Sequence, residues 1–252
     1  MDTEINHLHI LCYRWGTRYP VLYVNNLRAM VARNLRLPHT FHCVTDSKEG
    51  LSSEVVDHPL DTFVAGNWNK LQTFREDFLG LKGSYLVCMD LDIVIVDDLS
   101  FLTHAPGEPF MIGKNWSKGI RGNSSVYRIK VGEFPHVWND FIVNKEANIE
   151  HHHGKNRSFG DQNWLNHKIE NYAYFPDGKI VSFKRQCRAK GRCIGGELGS
   201  RIGLTTALFG KASPPPGASI IAFHGQPLPP DVMYNRYGCW RHAPFVAQHW
   251  HS

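Results

Sequence analysis

The amino-acid sequence predicts one α/β domain with a mixed, mostly parallel central sheet flanked by helices, and three observations carry that expectation. Between residues 5 and 98, apolar runs of strand length alternate with segments of helical period, the order that right-handed β-α-β crossovers need. Gly and Pro punctuate the junctions. A chain of 252 residues that is 42% hydrophobic and 20% charged is long enough to bury one large core.

The first strand is Ile5 to Tyr13, followed by a loop, Arg14 to Pro20, marked by Gly16 and Pro20. From Val21 to Leu37, Val24, Leu27, Val31 and Leu35 recur at near-helical spacing with Arg28, Arg33 and Arg36 elsewhere. That is an amphipathic helix, which Pro38 stops. Thr40 to Thr45 is a second strand ending at Asp46. Leu51 to Ala65 has no clear period beyond a short strand around Val55 and Val56. Trp68, Leu71, Phe74, Phe78 and Leu79 predict a second helix closed by Gly80 and Gly83. In the second half, Phe110 to Gly113, Ser124 to Ile129 and Ser219 to Phe223 read as strands, and Glu133 to Lys145 as a helix. Trp116, Trp138 and Trp164 are read as walls of a polar cleft, with a satellite core cluster as the alternative. No internal repeat or low-complexity tract is present, and Pro214-Pro215-Pro216-Gly217 is a rigid spacer.

The chemistry centres on Ser84 to Asp98, an apolar run interrupted by Asp90 and Asp92 and resumed as Ile-Val-Ile-Val. Read as one buried strand, it points residues i and i+2 the same way, so Asp90 and Asp92 converge while Leu91 turns to the core. Two close carboxylates repel unless a cation lies between them, and a hard divalent ion is the usual answer. The plainer alternative is an acidic pair capping a turn. Open sheets bind ligands beyond the carboxyl ends of their strands, where Asp90, the Trp15-Gly16 loop and Asp46 are expected.

Composition narrows the partners. A net charge of +5 and a pI near 8.9 suit an anionic ligand, but without a basic stripe they do not indicate nucleic acid. No apolar run is long enough to span a membrane, and the acidic start, Met1-Asp2-Thr3-Glu4, lacks the stretches of a secretion signal. A cytoplasmic location is expected, with peripheral membrane association left open. Six scattered cysteines, three of them in strand-like runs, require no disulfides. Lys184 to Cys193 carries five basic residues and no acid, and reads as a solvated loop or a cover over an anion. Its cysteines, Cys187 and Cys193, leave pairing or zinc binding open, and His151-His152-His153 reads as a polar loop. Phosphate-binding glycine loops and serine-hydrolase or zincin motifs are absent.

With these residues in view, Asp90-Leu91-Asp92 resembles the DxD motif of GT-A-fold, metal-dependent glycosyltransferases. Three later stretches resemble family 8 of those enzymes in the right order: Asn123-Ser124-Ser125-Val126, Asp161-Gln162-Asn163-Trp164-Leu165-Asn166, and Phe223-His224-Gly225-Gln226-Pro227-Leu228-Pro229. The resemblance implies a metal on Asp90, Asp92 and His224. Manganese suits carboxylate, imidazole and phosphate oxygen together, and magnesium is the alternative. It also implies a nucleotide-sugar donor, a UDP-sugar by preference, lined by Tyr13, Trp15, Gly16, Asp46, Lys70, Asp90, Leu91, Asn123, Ser124 and Gly225. Asp161 and Gln162 are then the catalytic pair at the anomeric carbon; as local structure, Asp161 also reads as the N-cap of a helix from Gln162 to Lys168. The partners implied are that donor and a saccharide or other hydroxyl acceptor, with retention of configuration; an inverting route would use Asp161 as base. On this view residues 1–105 form the nucleotide-sugar half, 106–225 the acceptor half and 226–252 a tail over the active site. Two positions depart from the pattern: Leu228 stands where the family's diphosphate-contacting lysine would be, and Ser125 replaces a glycine. Arg236, Arg241 and Lys70 are the candidate replacement cations. A sugar nucleotidyltransferase and a binding module without turnover are the rival readings.

Overall fold

The computed structural model describes residues 4–116, 121–152, 160–192, 194 and 205–252, which form two compact units. Met1–Val21, Leu37–Asp90 and Leu102–Phe175 make the first, and Leu22–Arg36, Leu91–Phe101 and Pro176–Ser252 the second. In chain order the longer elements are β1 (Leu8–Arg14), α1 (Leu22–Asn34), β2 (His39–Thr45), β3 (Val55–Pro59), β4 (Tyr85–Met89), β5 (Ile93–Ile95), β6 (Phe110–Lys114), β7 (Gly122–Lys130), α2 (Pro135–Val143), α3 (Lys145–His152), α4 (Gly160–Lys168), β8 (Ala173–Tyr174), β9 (Ile180–Ser182) and β10 (Ile220–Ala222).

The first unit is built on a seven-stranded sheet in the order β3-β2-β1-β4-β7-β6-β8. β3, β2, β1 and β4 run parallel, and β7 is antiparallel to both β4 and β6, so the expected mixed, mostly parallel sheet holds. Side chains alternate across the strands, and Leu11, Tyr13, Val44, Leu86, Cys88, Tyr127 and Ile129 enter one core. From the helices of this unit, Val137, Phe141, Trp164 and Leu165 cover them. Trp138 and Trp164 therefore belong to the core and are not cleft walls: Trp164 meets Phe141 edge to face at 5.6 Å, and its indole N–H donates to Val137 O at 2.9 Å. Trp116 is half-buried.

Two elements depart from their sequence reading. The expected helix over 68–79 is a 3-10 segment, Gly66–Phe74, followed by a short turn, Phe78–Gly80. Residues 68 to 74 are all buried, so the segment has no solvent face of the kind an amphipathic α-helix keeps, and its partners impose a tighter path. Leu79 at φ +58° ends any regular helix there. The second departure is the acid-bearing run, which is two strands and not one. β4 ends its ladder where Asp90 N bonds Ser125 O, a bend follows, and β5 joins a separate sheet in the second unit. The alternation argument for Asp90 and Asp92 therefore does not apply across 90–92. Leu91 is buried as expected.

The second unit carries a three-stranded sheet, β5-β10-β9, with β10 antiparallel to β5 and parallel to β9. α1 belongs to this unit. Its Asn26 and Arg33 donate to carbonyls at Trp250, His249 and His251, and Tyr23 meets Trp250 edge to face, which ties the C-terminal residues down. β8 and β9 were not foreseen, being two and three residues long.

Three histidines on neighbouring strands make a pH-sensitive seam in the first sheet. His42 on β2 shares hydrogen bonds of 3.0 Å with His9 on β1 and with His58 on β3. Burial, with the nearby His9, His58 and His7, pushes its pKa down to about 4. A depressed histidine stabilises the fold when neutral, so this contribution is whole above pH ~6.5 and is lost as pH falls towards ~4. Denaturant unfolding at pH 7 and pH 5 is expected to show an acid loss about 2 kcal/mol larger in the wild type than in His42→Gln. Equal losses would remove His42 as the cause.

Candidate active site

Four segments far apart in sequence meet in the first unit. Lys70 lies on the 3-10 segment, Asp90 follows β4, Asn123 and Ser124 open β7, and Asp161 and Gln162 sit in the first turn of α4. The Lys70 ammonium donates to Asp90 Oδ1 at 2.8 Å and to Ser124 O at 2.7 Å, and lies 3.5 Å from Asp161 Oδ2. The Ser124 hydroxyl donates to Asp161 Oδ2 at 2.9 Å. Gln162 Oε1 accepts from the Asn123 side chain at 2.9 Å and from Ser124 N at 3.2 Å. Gly160 allows α4 to start here, because a Cβ at that position would lie 2.3 Å from the Trp68 ring. Since the helix begins at Gly160, Asp161 is inside its first turn and is not its N-cap.

One cation thus serves two carboxylates in a nearly dry setting: the side chains of Lys70 and Asp161 are 7% and 3% exposed, and that of Asp90 is 30% exposed. Burial disfavours the charged lysine, but Asp90 and Asp161 outweigh it and hold Lys70 firmly protonated. For Asp161 burial wins, raising its pKa against the opposing pull of Lys70 and the Ser124 hydroxyl. The arrangement can grip polyhydroxy groups and keeps a carboxyl of raised basicity beside a fixed positive charge.

At the C-terminal end of β1, Gly16 N donates to Asp46 Oδ2 at 2.7 Å, so two of the expected donor-binding residues meet, with Gly16 at φ +57°. Tyr13 is buried, its hydroxyl bonded to Thr73, so of the two expected aromatics Trp15 is the half-exposed one; Tyr19, in the same loop, is half-buried as well.

In the second unit, Asp92, His224 and Gly225 meet where β5 begins and β10 ends. Phe223 N donates to Asp92 O at 3.0 Å and Gly225 N to Asp92 Oδ2 at 3.0 Å. His224 Nε2 shares a 2.6 Å hydrogen bond with the Ser182 hydroxyl. Burial, with Lys184 and Arg185 adding to it, pushes the His224 pKa down to about 4, which keeps the imidazole neutral. Among the described residues, no three His, Cys, Asp or Glu side chains stand together as a finished metal cage. Of the cations considered from the sequence, Arg241 is engaged by the Phe209 and Arg188 carbonyls, and Arg236 donates to Gly238 O. Leu228 precedes a short helix, Pro229–Val232, and its N–H is capped by Asp231. Cys187 is a free buried thiol, while Cys239 is disulfide-bonded; Cys193 and His153 lie outside the described residues.

The fold is that of GT-A-like glycosyltransferases. The glycosyltransferase GlyE of Streptococcus pneumoniae matches over 95% of this chain with a TM-score of 0.59 at 14% identity, and this chain spans 60% of GlyE's length. The galactosyltransferase LgtC, solved with donor and acceptor sugar analogues, matches over 95% of this chain and 94% of its own, with a TM-score of 0.56 at 12% identity. By sequence, no family model and no curated protein matches. No helix among the described residues is long and apolar enough to cross a membrane.

Sequence reasoning missed Ser182 and weighed Lys184 only as part of a basic loop. The loop reading needs correction at its start, where Phe183–Gln186 is a short helix following β9. The signal was the apolar run Ile180 to Phe183, which places Lys184 just past a strand end.

Proposed function

We propose that this protein is a glycosyltransferase that moves a hexose from a nucleotide-diphosphate sugar, a UDP-sugar by preference, to a saccharide or other hydroxyl acceptor with retention of configuration. The observation that carries the proposal is the convergence of Lys70, Asp90, Asn123, Ser124, Asp161 and Gln162 from four separate segments, in a chain with a glycosyltransferase fold. The likeness to family 8 motifs supports the retaining assignment.

Asp90, Asp92 and His224 would hold a manganese or magnesium ion. By residue type, two carboxylates with an imidazole suit manganese better than magnesium, although the three side chains do not form a preassembled cage among the described residues. When bound, the ion supplies positive charge against the departing diphosphate without proton transfer. The chain's own residues do the rest. Asn123, Ser124 and Gln162 orient the sugar hydroxyls, and Asp161 faces the anomeric centre with the negative character that an oxocarbenium-like transition state needs. Lys70 fixes both carboxylates before substrate arrives. Trp15, Gly16, Asp46 and Leu91 contribute to the nucleotide side.

The test is nucleoside diphosphate release across a panel of nucleotide sugars with mixed acceptors. Release is expected to need added manganese, to vanish with EDTA, and to fall at least ~100-fold in Asp92→Ala. Release indifferent to EDTA and to Asp92→Ala would remove the metal assignment. Tight binding with no release would favour a binding module.

A further inference from the structure

We infer that Lys184 forms an anion site at the His224-Gly225 turn and grips the diphosphate of the donor. The inference rests on the proposed function for the identity of the anion. The placement comes from the second unit's own sheet. β10 runs parallel to β9, with Ala222 beside Ser182, and antiparallel to β5, with Ala222 beside Ile93. Lys184 and His224 stand two residues past Ser182 and Ala222, and Asp92 stands one residue before Ile93 on the antiparallel strand, so all three lie at the same end of the sheet. The Lys184 ammonium donates to His224 O at 3.1 Å and lies 3.9 Å from where a Cβ on Gly225 would be. His224 and Gly225 are both left-handed, at φ +42° and +87°, so the turn is sharp, and Gly225 leaves the space before the ammonium free of a side chain.

The charge balance makes the case for a ligand. Lys184 is half-buried, and no ion pair ties it to a carboxylate among the described residues; its one hydrogen bond is to a neutral carbonyl. An ammonium has three donors, and a partly desolvated one is costly unless an anion meets it. Asp92, the carboxylate whose field reaches Lys184, has Oδ2 on Gly225 N, and the proposed function assigns Asp92 to the metal. A lysine so placed is a point charge suited to phosphate oxygens. Leu228 cannot supply such a charge, and Arg241 and Arg236 are turned to backbone carbonyls.

Calorimetric binding to the full chain, with manganese present, tests this using inorganic pyrophosphate, uridine diphosphate and uridine. Lys184→Met, which keeps the apolar stem, is expected to weaken pyrophosphate and uridine diphosphate ~10- to 100-fold and to leave uridine within about twofold. A second measurement needs no variant: saturating pyrophosphate is expected to protect Lys184 of the wild type from acetylation, read by peptide mass spectrometry. Unchanged diphosphate affinity in a folded Lys184→Met protein, or unprotected Lys184 in wild type that binds pyrophosphate, overturns the inference and leaves the transferase reading standing. Wild type that binds neither pyrophosphate nor any nucleoside diphosphate overturns both.

Discussion

Lys70→Met is expected to destabilise the protein by about 3–5 kcal/mol and to lower glycosyl transfer by at least ~100-fold. Among the described residues, the ammonium is the one cation that Asp90 and Asp161 share, and it also satisfies Ser124 O. Methionine fills the volume but leaves two carboxylates facing each other, one of them almost fully buried. The penalty is that of uncompensated buried charge, larger than the net worth of the pair. Because the damage is electrostatic, part of it is reversible: Lys70→Met with Asp161→Asn removes one of the two negative charges and is expected to recover 1 kcal/mol or more relative to the sum of the single changes. Denaturant unfolding of the four proteins gives the cycle directly. Additive effects would show that Lys70 and Asp161 are near neighbours without coupling. Activity is not expected to recover in the double variant, since Asp161 itself is assigned to the sugar.

Which parts of this were legible without coordinates follows from the physics of each segment. β1, β2 and β4 are short, apolar and β-branched or aromatic, and a buried parallel strand has few other ways to look. The Gly66–Phe74 segment has the same apolar content, yet its shape is set by what surrounds it, and period alone predicts the wrong helix. The break at Asp90 was hidden because the apolar run continues through it: one sheet ends and another begins, with Leu91 buried between. In the site, Asn123, Ser124, Asp161 and Gln162 were legible as polar residues at the ends of apolar elements, in a familiar order. Lys184 was not, because a three-residue strand leaves almost no periodic signal and the basic residues after it read as a solvated loop.

Arg128 carries the other large expected effect, and nothing in its local sequence announced it. On β7 it alternates with Tyr127 and Ile129, which face the core cluster, so it occupies the opposite face, where a strand in a covered sheet ordinarily places an apolar side chain. It is nevertheless fully buried, and no carboxylate pairs with it among the described residues. Its guanidinium is a fork turned on one loop: Nη1 donates to Leu102 O and His104 O at 2.7 and 2.8 Å, and Nη2 to Ala105 O and Glu108 O at 2.7 and 3.2 Å. The Tyr85 ring lies 5.0 Å away and adds a cation–π contact. Burial lowers the arginine pKa to about 10, so it stays charged at neutral pH, with four carbonyl dipoles in place of a counter-ion. Ala105 at φ +48° is in the left-handed region, and the hydrogen bond from Arg128 helps to hold that turn. Arg128→Met is therefore expected to cost about 3–5 kcal/mol in denaturant unfolding and to open residues 102–108 to limited proteolysis. Arg128→Lys keeps the charge but lacks the planar fork, so it is expected to fall between wild type and methionine. A loss below ~1 kcal/mol for methionine, with the loop still protected, would mean that the four carbonyls find other donors and that the loop is held by its own packing.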